Sequence, residues 1–112
     1  MGLGNPGLVR GTLDLLILKA LSAGEKHGYA VAEWLESVSD GRLLVEEGTL
    51  YPALHRLARR GLVSAEWGLS ENNRRARYYG LTEAGKTRLQ EESASWASYT
   101  EAVGKALAQE TT

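Results

Sequence analysis

The stretch EGTLYPALHRLARRGLV, residues 47–63, decides the fold of this chain. On a helix, which turns by about 100° per residue, Leu50, Leu54 and Leu57 fall within one narrow arc. The opposite side carries polar and basic groups: Gly48, Pro52, His55, Arg56 and Arg59. A helix with an apolar back, a polar front and a basic end fits the major groove of DNA, but a surface helix that faces solvent has the same pattern.

Two residues predict where this helix begins and ends. Pro52 has no backbone N–H and clashes with the preceding turn, so the helix must start shortly before it, at about Gly48. Gly61 ends the helix, and the Leu62-Val63 pair begins a segment of β character.

The charge of the chain is unevenly distributed. The net charge is −1, but residues 53–80 contain six arginines and two acidic residues, which leaves this segment at +4 and the remainder at −5. The six are Arg56, Arg59, Arg60, Arg74, Arg75 and Arg77. A basic patch on an otherwise acidic small protein is typical of a surface that faces phosphates.

Composition excludes several classes of protein. A chain of 112 residues forms one domain, and the lack of cysteine excludes disulfides and fits a cytoplasmic location. No apolar run reaches the roughly 18–20 residues of a membrane span, and no signal peptide is expected. His27 and His55 lack a nucleophile or carboxylate at a catalytic spacing, and no phosphate loop or Cys/His metal pattern occurs. We therefore predict no enzyme activity, catalytic residue, cofactor or metal.

Residues 1–10 are predicted to be a flexible segment, and a helix with Thr12 as its N-cap follows. One face of the apolar run at residues 13–21 suits a domain core, whereas Leu15 and Leu18 project from the other side. A monomer would leave these two side chains exposed, so we predict a second partner that buries them.

The remaining elements up to residue 81 complete a winged helix-turn-helix domain over residues 11–81. A second helix is predicted at residues 28–38 and a short strand at residues 43–45, before the helix that begins near Gly48. Alternation predicts two strands, at residues 63–67 and 75–81, which form a β-hairpin with arginines at its tip. The predicted fold class is therefore mainly α with a small β-hairpin.

Residues 82–112 are predicted to be a C-terminal dimerisation helix and tail. Thr82 is an N-cap, and a helix that runs to about Ala108 would be roughly 39 Å long. Leu89, Trp96 and Val103 recur at heptad spacing, which indicates a helix that pairs with another chain. Packing against its own domain is the alternative, and the two are compatible.

These motifs together resemble the PadR family of bacterial transcriptional regulators, in its short subgroup with a single C-terminal dimerisation helix. The matching stretches are GTLDLLILKAL (11–21), HGYAVAEWL (27–35), residues 47–63 with Trp67 after them, and RRARYYGLTEAGK (74–86). The resemblance covers about residues 8–107 and implies a homodimer that binds a palindromic operator and usually represses. One departure is Ala58, where the family often has an acidic residue; its absence should strengthen phosphate binding.

The predicted DNA-binding residues fall into two groups. The front of the central helix should read bases, through Thr49, Tyr51, Pro52, His55 and Arg56. Arg59 and Arg60 should touch the DNA backbone, and Arg74, Arg75 and Arg77 should hold phosphates or the minor groove. For Tyr51, packing in the core against the predicted β-hairpin is as good an interpretation as contact with bases.

The resemblance also implies a ligand pocket at the dimer centre, because some members of the subgroup use a tryptophan at the position of Trp96. Leu89 and Glu92 lie along the same side of the helix, while Leu15 and Leu18 would close the walls and Tyr99 would line or fill the slot. Such a slot suits a planar aromatic molecule, and Glu92 favours a cationic one. The alternative is that Trp96 only anchors the dimer.

The sequence thus predicts a ligand-responsive repressor that binds its double-stranded DNA operator as a homodimer, with no membrane partner. A winged-helix module that binds protein and not specific DNA is the rival hypothesis. The wing arginines argue against that rival, and a salt-dependent affinity for DNA would decide.

Overall fold

The computed structural model describes residues 11–111, so the segment predicted to be flexible, residues 1–10, lies outside the described part of the chain. Four helices and three strands follow one another along the chain. They are α1 (Thr12–Ser22), β1 (Lys26–His27), α2 (Gly28–Val38), α3 (Glu47–Arg59), β2 (Val63–Leu69), β3 (Arg75–Leu81) and α4 (Glu83–Leu107). The predicted class, mainly α with a small β-hairpin, is confirmed.

The three strands form one antiparallel sheet in the order β1-β3-β2. β2 and β3 pair from Val63 opposite Leu81 to Leu69 opposite Arg75. The prediction of a strand at residues 43–45 is wrong, since residues 42–46 have no regular structure. Leu43 and Val45 pack on the core, and the segment joins none of the three strands of the sheet.

The core lies between α1, α2, α3 and the inner face of the sheet. Its largest fully buried side chains are Ile17, Leu18, Val31, Leu35, Leu50, Leu54, Leu57 and Tyr79. The prediction that Leu18 is exposed in a single chain is wrong, because only 1% of it is accessible. α1 is covered on several sides at once, by α2, α3, β3 and α4, so it has no broad solvent face. Leu15 is half-buried.

Two of the predicted helix ends, at Gly61 and Thr82, agree with the structure, whereas the N-cap predicted at Thr12 is wrong. Thr82 accepts a hydrogen bond from the Gly85 N–H at 3.0 Å, which confirms it as the N-cap of α4. Gly61 has a φ of 76°, as a residue that ends α3 by a left-handed turn should. Thr12, by contrast, is the first residue of α1, and Gly11 occupies the N-cap position. His27 caps α2, because its Nδ1 accepts from the Ala30 N–H at 3.2 Å.

α4 leaves its own domain after its first turns. Gly85 is buried and Leu89 is half-buried against the core, but residues 90–102 are all exposed. α4 therefore projects from the domain and gives the molecule its length, with extents of 62 × 30 × 20 Å. Within the described part of the chain, no helix is both long and apolar enough to cross a membrane.

Candidate functional site

The outer face of α3 presents the front predicted from its periodicity. Leu50, Leu54 and Leu57 are buried in the core, which turns the opposite side of the helix outward. Pro52, His55 and Arg59 are exposed there, together with Gly48, and Thr49 is half-buried at the flank. This face offers an imidazole, a guanidinium and an apolar ring along one side of the helix, groups that can contact base edges in the major groove.

Tyr51 is not on that face. Its ring packs against the start of α2, where the absence of a side chain at Gly28 makes room; a Cβ there would lie 2.5 Å from the ring. Burial raises the pKa of the Tyr51 hydroxyl, and the nearby Glu47 carboxylate and Tyr79 raise it further. Tyr51 thus packs against α2, with Tyr79 of β3 near its hydroxyl, and its role in reading bases stays a prediction.

Arg56 is held by an acidic residue of α1. Its Nη2 donates to Oδ1 of Asp14 at 2.7 Å, and Nη1 of Arg60 lies 3.9 Å from Oδ2 of the same carboxylate. Two of the six arginines in the basic segment thus share an acidic partner that lies far outside it in sequence. Counting charge by segment missed this, because the three residues meet only in the folded domain.

The β2–β3 hairpin forms a wing that carries the other arginines. Arg77 lies opposite Trp67 and Arg75 opposite Leu69, so all four side chains share one face of the hairpin. The guanidinium carbons of Arg75 and Arg77 lie 4.6 and 5.5 Å from the centre of the Trp67 ring. Such distances allow cation–π attraction. Trp67 therefore contacts both strand arginines, whereas the sequence reasoning noted it only as part of a motif. The signal that could have found it is its position opposite Arg77 in the predicted hairpin.

The other face of the wing is fixed by Tyr78. Its hydroxyl donates to the Leu69 carbonyl at 3.0 Å, and its ring meets His27 edge-on at 5.8 Å. Gly68 leaves space for this ring, since a Cβ there would lie 3.0 Å from it. These contacts of Tyr78 hold in place the hairpin that carries Arg75 and Arg77. Arg74 is exposed in the turn, where its N–H donates to Ser70 Oγ at 3.3 Å.

A second candidate site lies where α1 crosses α4. Four of the six residues predicted to bind a ligand line one cleft of about 320 Å³: Leu15, Glu92, Trp96 and Tyr99. The Trp96 and Tyr99 ring centres are 6.3 Å apart. Leu18 and Leu89 do not line this cleft, because Leu18 is buried and Leu89 packs against the core.

Glu92, which was predicted to favour a cationic guest, is exposed in the single chain. Its Oε1 lies 3.8 Å from Nη1 of Arg88 one turn earlier. The single chain leaves this side of α4 open to solvent. An exposed, paired carboxylate attracts a cation less strongly than a buried one would.

An outward helix face beside a basic β-hairpin, on a core of three helices, defines a winged-helix DNA-binding protein. The chain belongs to the PadR-like family of transcriptional regulators, whose pattern matches residues 17–91. Members of this family regulate transcription and are not enzymes, which confirms the prediction that the chain has no enzyme activity.

Solved structures confirm the winged-helix fold with its long C-terminal helix. A transcriptional regulator from Clostridium thermocellum is 28% identical, with a TM-score of 0.78 over 86% of this chain and 93% of that one. A PadR family regulator from Eggerthella lenta is 35% identical, with a TM-score of 0.76 over 90% of this chain and 86% of that one. The chain is also 31% identical to the transcriptional regulator YqjI of Escherichia coli over 81 residues, but these span only 37% of YqjI.

Proposed function

We propose that the protein is a repressor that binds a palindromic operator as a homodimer and releases it on binding a small molecule. The observation that carries this proposal is the exposed apolar row on α4. Trp96 is 38% accessible, Tyr99 62% and Leu107 80%, on a helix that leaves its own domain. Burial of apolar surface is favourable by about 25 cal/mol per Å². Pairing with α4 of a second chain would bury these side chains.

In this proposal, residues 11–81 form the DNA-binding domain and residues 82–112 the dimerisation helix and tail. A two-fold dimer contains two copies of α3 and two copies of the wing. The two α3 helices would lie about one DNA turn, roughly 34–36 Å, apart. A palindromic operator is the matching target, because each half-site then meets an identical surface.

We assign base reading to the exposed face of α3, through Thr49, Pro52 and His55. Pro52 suits a thymine methyl, and the His55 imidazole suits a purine edge. Arg59, at the end of the helix, is assigned to the DNA backbone. We assign Tyr51 and Arg56 to the margin of this face, because Tyr51 packs against α2 and Arg56 pairs with Asp14.

The wing arginines are assigned to phosphates or the minor groove, and Arg75→Ala tests this. The variant should bind all DNA sequences more weakly, and the slope of log affinity against log salt should fall by about one. Arg88→Ala is the matched control, because it removes an arginine from α4, where Arg88 pairs with acids of its own helix. Fluorescence anisotropy over a salt series on operator and random duplexes gives both quantities.

If Arg75→Ala weakened binding to the operator alone, the wing would be reading bases and the assignment would be wrong. If the unmodified protein showed no salt-dependent affinity for any duplex, the rival function as a protein-binding module would stand.

We place the effector in the α1–α4 cleft, where Trp96 would face its symmetry copy and admit a planar aromatic molecule between the two rings. Titration of planar cationic dyes should quench Trp96 fluorescence saturably in a variant that carries Trp34→Phe and Trp67→Phe. Because Trp67 holds the wing arginines, release of DNA by the same dyes must be measured with the unmodified protein.

Trp96→Ala in the otherwise unmodified protein is the control for DNA release, and it should bind DNA but no longer release it when the dyes are added. If no planar dye quenched Trp96 in a dimer that binds DNA, Trp96 would serve only as an anchor of the dimer interface.

A further inference from the structure

The Asp14 carboxylate of α1 pairs with two arginines near the end of α3. It lies in the first turn of α1, where the helix dipole already favours an acid, and its side chain is 32% exposed. One oxygen accepts from Arg56 at 2.7 Å and the other lies 3.9 Å from Arg60. Exposed pairs of this kind contribute little to stability, so the pairing matters mainly through the positive charge that it neutralises.

Both arginines lie beside the face of α3 that is assigned to DNA. At about 100° per residue, Arg56 lies at the edge of the exposed face that contains His55, and Arg60 follows it one turn later at the end of α3. Their side chains are 46% and 45% exposed, which leaves room for them to move. A guanidinium that is paired with a carboxylate contributes less positive potential to a phosphate-facing surface than an unpaired one does.

We propose that Asp14 holds Arg56 and Arg60 back from DNA and thereby lowers the affinity of the protein for DNA of any sequence. Asp14 is a positioning residue, since it acts through the two arginines and not by its own contact with DNA. Phosphate contacts supply affinity without sequence information, so a restraint on these two arginines lowers the affinity for operator and random DNA alike. The inference rests on DNA binding through the α3 face.

Asp14→Asn tests the proposal, because it keeps the size of the side chain and removes its charge. Binding to a random-sequence duplex should become about threefold to tenfold tighter, and the salt slope should steepen by about one for each arginine released. The double variant Asp14→Asn with Arg56→Ala should lose most of this gain. Asp14→Glu, which keeps the carboxylate, should retain the slope of the unmodified protein.

We call the pairing of Asp14 with Arg56 and Arg60 the clamp. A matched control separates its effect from the general effect of removing one negative charge. Asp40 is exposed at the end of α2 with a φ of 55°, a conformation that asparagine tolerates well, so Asp40→Asn removes the same charge without strain. Its salt slope should remain that of the unmodified protein. Thermal unfolding of each variant shows that the fold is retained.

An unchanged or shallower slope in Asp14→Asn, or an equal change in Asp40→Asn, would overturn the clamp while leaving DNA binding intact. A lack of salt-dependent binding in every variant and in the unmodified protein would overturn the proposed function itself. The two failures are therefore distinguishable from the same set of titrations.

Discussion

Tyr99→Glu combined with Leu107→Glu is expected to convert the protein into a folded monomer that binds its operator at least about a hundredfold more weakly. Neither side chain is needed by its own domain, since Tyr99 is 62% and Leu107 80% accessible. Two carboxylates in an apolar interface, each repeated by symmetry, would be buried without partners. Loss of the second half-site removes the gain from bivalent binding, which is typically 10²–10⁴ in affinity.

The control places the same two charges on the opposite side of the helix. Helical spacing turns Ala94 and Ser98 away from the row that contains Trp96, Tyr99 and Val103, and both are exposed. Ala94→Glu with Ser98→Glu should therefore remain a dimer and keep most of its affinity for an operator fragment recovered from genomic DNA. Light scattering reports mass and circular dichroism reports fold. A Tyr99→Glu, Leu107→Glu protein that is still dimeric would refute this interface.

Elements with a strong local signal were predicted closely from the sequence. α2 has the predicted bounds, Gly28–Val38, because its apolar stripe repeats with the helical period between a turn and a glycine. β3 also has the predicted bounds, Arg75–Leu81, whereas β2 extends to Leu69, two residues beyond its predicted end. The outward side of α3 followed from the same reasoning, since three leucines fix which side of that helix is buried.

The features that were missed depend on contacts between residues distant in sequence. β1 is only two residues long and exists because β3 offers a free edge. Leu18 is buried because several elements meet around α1, which no period of α1 reveals. The pairing of Arg56 with Asp14 joins residues 42 positions apart. Local pattern thus predicts which side of an element is apolar, but only the packing shows which charges neutralise one another.

Three hydrogen bonds of Thr82 constrain the junction between the winged domain and α4. The Thr82 hydroxyl donates to the Gly61 carbonyl at 2.7 Å, and the same oxygen accepts from the Gly85 N–H. The Thr82 N–H donates to the Leu62 carbonyl at 3.2 Å. These bonds fix the direction in which α4 leaves the domain, and with it the proposed spacing of the two α3 helices in a dimer.

Gly85→Ala is expected to destabilise the protein by about 3 kcal/mol or more. A Cβ at this position would overlap the Leu62 carbonyl oxygen and lie 2.8 Å from a methyl carbon of Leu81. The Leu62 carbonyl cannot withdraw without losing its bond from Thr82, so α4 must shift as a whole. At about 4–8 °C per kcal/mol for a domain of 60–100 residues, the unfolding midpoint should fall by more than about 10 °C.

Gly104→Ala is the matched control, since it makes the same substitution on the same helix at a site with open space around it. It should stabilise the helix by about 0.5–1 kcal/mol, because glycine is the poorer helix former. Both variants must be compared at one protein concentration, since dimerisation would make the midpoint depend on it. If Gly85→Ala unfolded at the temperature of the unmodified protein, α4 would be free to move at its base, and the junction could not set the spacing of the α3 helices.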